Sequence, residues 1–168
     1  MVCQKNLMKK IIVIGCPGSG KSRLSRKLCA KLGMPLCHLD MLYWNSDRTT
    51  VEKKVFLERL SAVLEKDKWI VDGNYMSTME QRLDKCDTVI FLDFSTDDCI
   101  LGVKERMGKP RDDMPWIETE EGREFIEFIR SFNDIQRPVI VDLLERYGDK
   151  NIVIFKSREE VDKFLEEL

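Results

Sequence analysis

Between Gly15 and Ser22 the chain reads Gly-Cys-Pro-Gly-Ser-Gly-Lys-Ser. Gly15, Gly20, Lys21 and Ser22 fit the pattern G-x-x-x-x-G-K-[ST]. In that pattern backbone N–H groups surround phosphate oxygens, the lysine reaches the terminal phosphates and the hydroxyl ligates Mg²⁺. Glycine permits the left-handed or strained backbone that such a close approach requires. The helix that follows aims its unpaired N–H groups and positive end at the anion. The spacing predicts a phosphate cradle of Gly15, Cys16, Pro17, Gly18, Ser19, Gly20, Lys21 and Ser22, with Arg23 directly after it. Cys16 has two readings: a thiol with a pKa lowered by the helix N-terminus, or simply a small loop residue.

Trp69-Ile70-Val71-Asp72-Gly73 is an apolar stretch ending in a carboxylate. A hard cation bound to nucleotide phosphates keeps several waters and takes one or two carboxylate contacts. Ser22 and Asp72 are therefore the expected metal residues; Asp40 is the second candidate for the carboxylate and Asp93 competes. Each of these aspartates also reads as a cap of a helix or turn, and next to Asp93 the cap is already supplied by Ser95.

His38-Leu39-Asp40-Met41-Leu42-Tyr43-Trp44 sets a carboxylate among aromatic and apolar groups. It reads as an acceptor pocket, with Asp40 taking a hydrogen bond or a proton from a hydroxyl and the rings stacking on a base. It reads equally well as aromatic cover for a sheet edge. His38, the single histidine, is expected inside a strand, without a catalytic part. Lys104, Arg106, Lys109 and Arg111 place four basic side chains within eight residues, around Gly108 and Pro110. As a lid over about 104–118, this segment would bring Arg106 and Arg111 to the charge of a transferring phosphoryl group and exclude water. The alternative is a solvated, mobile charged loop.

These groups need a frame to hold them. Ile11–Ile14, Thr88–Leu92 and Ile152–Phe155 are short continuous apolar runs, as expected of parallel strands covered on both faces. Trp69–Val71 and Leu36–Leu39 are weaker versions. Between them lie one-faced helical patterns: Leu24, Leu28 and Leu32; Phe56, Leu60, Val63 and Leu64; Phe125, Phe128, Ile129 and Phe132; Val161, Phe164, Leu165 and Leu168. Capping boxes are expected at Thr49/Glu52, Ser77/Glu80 and Ser157/Glu160, with a similar Ser95/Asp98 pair. The β-α alternation predicts a three-layer α/β/α fold with five parallel strands, and ligands beyond the carboxyl ends of those strands.

The whole chain of 168 residues reads as one domain, in which residues 1–7 form a short extension expected to be disordered. With 28 basic against 30 acidic residues the net charge is −2, so charge gives no support to direct DNA binding. The six cysteines lack the paired spacing of a zinc or redox motif. No apolar run reaches the length of a membrane span, and a cytoplasmic protein without a membrane partner is expected. Oligomeric state is not legible.

From Lys9 to Leu165 the chain resembles the small P-loop nucleoside and nucleotide kinases, and most closely the adenylate kinase-like group known as DNA topology modulation proteins. The residues that carry the resemblance are Gly15–Ser22, Leu39-Asp40-Met41-Leu42-Tyr43-Trp44, Trp69-Ile70-Val71-Asp72-Gly73-Asn74-Tyr75, Asp87–Asp93 and Arg106–Arg111. It implies strand order 2-3-1-4-5, ATP with Mg²⁺, a small-molecule acceptor near Asp40, and a lid carrying Arg106 and Arg111. On that basis Lys21, Asp40, Arg106 and Arg111 form the expected catalytic set of a phosphotransferase. A nucleotide-dependent regulator that hydrolyses ATP slowly is the other reading. Three features depart from the group: Arg23 stands where a second Ser or Thr is common, the lid is short, and Asn133–Pro138 leaves only Arg137 where an arginine-rich helix end is usual.

Overall fold

The computed structural model describes residues 8–119 and 122–168. The extension expected at 1–7, with Cys3, lies outside the described residues. Five strands, β1 (Lys10–Gly15), β2 (Leu36–His38), β3 (Trp69–Asp72), β4 (Thr88–Leu92) and β5 (Asn151–Phe155), form one parallel sheet in the order β2-β3-β1-β4-β5. The helices around it are α1 (Lys21–Leu32), α2 (Leu39–Tyr43), α3 (Lys53–Leu64), α4 (Met79–Lys85), α5 (Thr96–Arg106), α6 (Arg123–Arg146) and α7 (Arg158–Glu167). No helix among the described residues is long and apolar enough to cross a membrane.

The three central strands are buried on both faces, as their unbroken apolar runs require. Ile11, Ile12, Val13 and Ile14 have no exposed surface, and each side chain removed from water contributes about 1.5–3 kcal/mol. β5 departs from the expectation. It is the edge of the sheet, and Ile154 stays 45% exposed.

Helix starts divide the expected caps into two kinds. Ser95 Oγ accepts from Asp98 N and Ser157 Oγ accepts from Glu160 N, each at the N-cap of its helix. Thr49 and Ser77 do not cap. Thr49 gives its hydroxyl to Asp47 at 2.6 Å in a turn before α3, whose first residue follows Glu52. Ser77 lies inside a 3₁₀ turn, Met76–Thr78, so α4 begins one residue later than its box implies.

α6 also runs further than its pattern suggests. It continues for 24 residues through Pro138, past the Asn133–Pro138 segment read as a helix end. A proline there removes one backbone bond and strains the turn, at about 3 kcal/mol. The stripe Ile129, Phe132, Ile140, Leu143 and Leu144 is buried on both sides of it and outweighs that cost.

Candidate active site

The turn after β1 and the start of α1 build the cradle. Gly20 sits at the N-cap with φ 93°, and Gly18 has φ 86°, conformations that disfavour any side chain. A carbon added at Gly18 would also overlap the Cys99 carbonyl, so the loop lies flush against α5. A cavity of about 490 Å³ opens beyond the loop. Gly18 to Arg23 line it, together with Arg106 and Arg111 of the 104–118 segment and Arg158 of α7. Gly15, Cys16 and Pro17 form the back of the cradle and do not line the cavity. The Cys16 thiol contradicts its low-pKa reading: a hydrogen bond with Cys99 and burial push it up.

Lys21 Nζ donates to the carbonyls of Gly15 at 2.9 Å and Cys16 at 3.1 Å. Burial pulls its pKa down, with Asp72 the main charge holding it up and Asp40 a lesser one. Asp72, the last residue of β3, has its Oδ1 2.9 Å from His38 Nδ1. Its Oδ2 is buried without a protein partner. Ser22 and this orphaned oxygen fit a magnesium ion carried in on nucleotide phosphates. Among the described residues no group of three or more His, Cys, Asp or Glu side chains could hold an ion by itself.

Asp93 is not part of this arrangement. Arg137 clamps it through two bonds of 2.8 and 2.9 Å, and Lys156 adds a third contact. Burial would raise its pKa, but these cations draw it below the ordinary carboxylate range. It ties β4 to α6 and β5, which removes it as a competitor for the metal.

Asp40, in the first turn of α2, accepts a hydrogen bond of 2.6 Å from the Tyr75 hydroxyl. Burial raises its pKa, opposed by that bond and by Lys21. Around it Tyr43, Phe56 and Tyr75 pack with ring centroids 5.1–5.4 Å apart, and Trp44 meets Tyr43 at 5.2 Å. These rings pack on one another, as the edge-cover reading predicts, while Asp40 is kept within the field of Lys21. Neither Asp40 nor Asp72 lines the cavity, whereas Lys21, Arg106 and Arg111 do.

The segment of about 104–118, expected to form a lid, comprises the last turn of α5 and a loop from Met107. The loop is not an open charged tract: Gly108 N donates to Glu118 O at 2.8 Å and closes it on itself. Arg106 and Arg111 share the Glu118 carboxylate, at 2.9 and 2.7 Å. Arg111 also grips Asp113 through two bonds, of 3.0 and 2.6 Å. Buried Asp113 is held well below the usual carboxylate range, because the Arg111 and Ser22 hydrogen bonds overcome its desolvation. Arg26 reaches the same carboxylate at 3.8 Å. The edge of Trp116 meets Trp44 at 5.0 Å and fastens the lid to the aromatic cluster.

Four further residues join the site without having been given a role in it from the sequence. Asn74 brackets Gly15 from just beyond β3, and His38 holds Asp72. Tyr75 takes a left-handed φ of 33°, unusual for a tyrosine. Fully buried Arg82 holds that strained turn by donating to the carbonyls of Gly73 (2.8 Å), Asn74, Tyr75 (3.2 Å) and Thr78 (3.3 Å). Burial brings its pKa down to about 10. The signal for Arg82 was present: it stands between Met79 and Leu83, at apolar helical spacing, on the face α4 buries.

No protein-family model matches the chain, and none of the curated proteins compared with it does. Solved structures do. Shikimate kinase from Bacteroides thetaiotaomicron is 18% identical, with a TM-score of 0.63 over 95% of this chain and 96% of that one. Shikimate kinase from Acinetobacter baumannii, in complex with shikimate, is 14% identical, with a TM-score of 0.63 over 95% of this chain and 90% of that one. The fold is that of P-loop kinases. At these identities the likeness extends to the backbone framework, the strand order 2-3-1-4-5 included.

Proposed function

We propose that the protein is an ATP-dependent phosphotransferase that moves the γ-phosphoryl group to a hydroxyl of a small acceptor, a nucleoside or nucleotide being the first class to test. The observation that carries this reading is the cavity of about 490 Å³ that Gly18–Ser22 of the phosphate loop line together with Arg106 and Arg111. A pure nucleotide-binding module has no need of two arginines across from its phosphate loop, where a transferring phosphoryl group would gather charge.

In this reading the Gly18–Ser22 backbone and Lys21 bind the phosphates. Ser22 and Asp72 hold magnesium, which neutralises phosphate charge. The acceptor oxygen bonds to the γ-phosphorus as the bridging oxygen–phosphorus bond breaks and ADP departs. Asp40, ionised, takes the hydroxyl proton and returns it to solvent. Arg106 and Arg111 exchange part of their hold on Glu118 and Asp113 for the phosphoryl oxygens, where charge gathers in the transition state.

The test is ADP formation from ATP and Mg²⁺ with a panel of nucleosides, nucleoside monophosphates, shikimate and other small hydroxy compounds, against a control without acceptor. Acceptor-dependent ADP that vanishes in Lys21→Ala supports the proposal. Slow ADP formation indifferent to every acceptor, and also lost in Lys21→Ala, favours the nucleotide-dependent regulator instead.

A further inference from the structure

Asp72 comes to the cradle with one oxygen committed and the other free. His38 and Asp72 are the last residues of adjacent parallel strands and are direct register partners, so their side chains leave the sheet on the same face. The 2.9 Å contact between His38 Nδ1 and Asp72 Oδ1 follows from that register. Both side chains are nearly closed off, at 11% and 5% exposure. Oδ2 has no protein partner, and a buried carboxylate oxygen in that state calls for an ion or its water shell.

The imidazole is a well-placed anchor. It hangs from strand backbone, which moves less than the loops around it, and an Nδ1–H facing a carboxylate fixes the tautomer. Without such an anchor neither oxygen of the carboxylate would be set apart for an ion.

We infer that His38 is a positioning residue: by donating from Nδ1 to Asp72 Oδ1, it reserves Oδ2 for the water shell of a magnesium ion bound to the nucleotide. This rests on the magnesium–ATP reading of the site. Groups behind a metal's direct ligands orient them, and losing one typically weakens metal affinity about 10–100-fold.

The experiment is ATP binding by calorimetry, with Mg²⁺ and with EDTA, on the wild type and three variants. His38→Phe keeps the volume and removes the donor. His38→Gln keeps polarity but carries its amide one bond further out. His38→Asn places an N–H where Nδ1 stood. The Mg²⁺-dependent gain in ATP affinity is expected to fall about 10-fold in His38→Phe and His38→Gln, to return to within about threefold of wild type in His38→Asn, and to leave binding in EDTA unaltered. Circular dichroism checks the fold of each, and His38→Gln carries the test if His38→Phe does not fold. A full Mg²⁺ gain in His38→Phe and His38→Gln overturns the inference alone, as does an equal loss in all three. A wild type whose ATP binding ignores Mg²⁺ overturns both the inference and the reading beneath it.

Discussion

Asn74 brackets the Gly15 peptide from both sides: its Oδ1 accepts from Gly15 N at 3.0 Å and its Nδ2 donates to Gly15 O at 2.8 Å. The same carbonyl takes a bond from Lys21 Nζ. The end of β3 and the phosphate lysine are therefore joined through one peptide unit. Asn74→Ala leaves Gly15 N without its side-chain partner, at a cost of about 1–3 kcal/mol, and frees the start of the cradle. A lower midpoint in urea is expected together with weaker ATP binding. Asn74→Asp, which keeps the acceptor but sets a charge against the Gly15 carbonyl, should not restore binding.

Arg82→Met is expected to destabilise the fold strongly. It strips donors from carbonyls at Gly73, Asn74, Tyr75 and Thr78 while keeping most of the apolar stem. A loss of about 3 kcal/mol, or about 6–12 °C in melting temperature, is anticipated on the usual scale for buried groups left unpaired. A thermal melt within about 2 °C of wild type would show that water replaces the guanidinium.

Tyr75→Phe tests the Asp40 role through pH. Burial raises the Asp40 pKa, whereas the Tyr75 bond and Lys21 lower it and the nearby Asp72 and Asp113 raise it further. Removing the hydroxyl removes a lowering influence, so the pKa climbs. If Asp40 must be ionised to take a proton, the acid limb of the pH–rate profile moves to higher pH in the variant. An unmoved limb would mean that some other group receives the proton.

Asp93 contributes to stability in a pH window of its own. Arg137 and Lys156 outweigh its desolvation and depress its pKa in the folded protein. The contribution is thus complete above the unfolded carboxylate value of about 3.9 and disappears as pH falls through the lower, folded value. Asp93→Asn should be less stable than wild type at neutral pH, with the gap narrowing below about pH 4. Urea titrations at a series of pH values measure it.

Much of the framework was legible because its signals are local. The apolar runs of β1 and β4, the motif from Gly15 to Ser22 and the Ser95 and Ser157 caps are each determined within a few residues. The partners were less so. His38 gains its role only when β2 pairs with β3 in register, and Asp113 only when the lid folds back onto Ser22. Asp93 shows the converse. Its place after a strand suggested a metal residue, and only the return of Arg137 from a helix 44 positions later assigns it to the scaffold. Thr49 misled because a capping box and an aspartate-centred turn use the same residue types.

The edge contact between Trp116 and Trp44 gives the chain a built-in optical gauge. One indole rides on the lid and the other on the aromatic cluster beside Asp40, so any hinge motion of the first alters the surroundings of both emitters. The third tryptophan, Trp69, is sealed in β3 and supplies a steady background. If the 104–118 segment moves as a lid, intrinsic fluorescence is expected to follow it in real time, with no label attached.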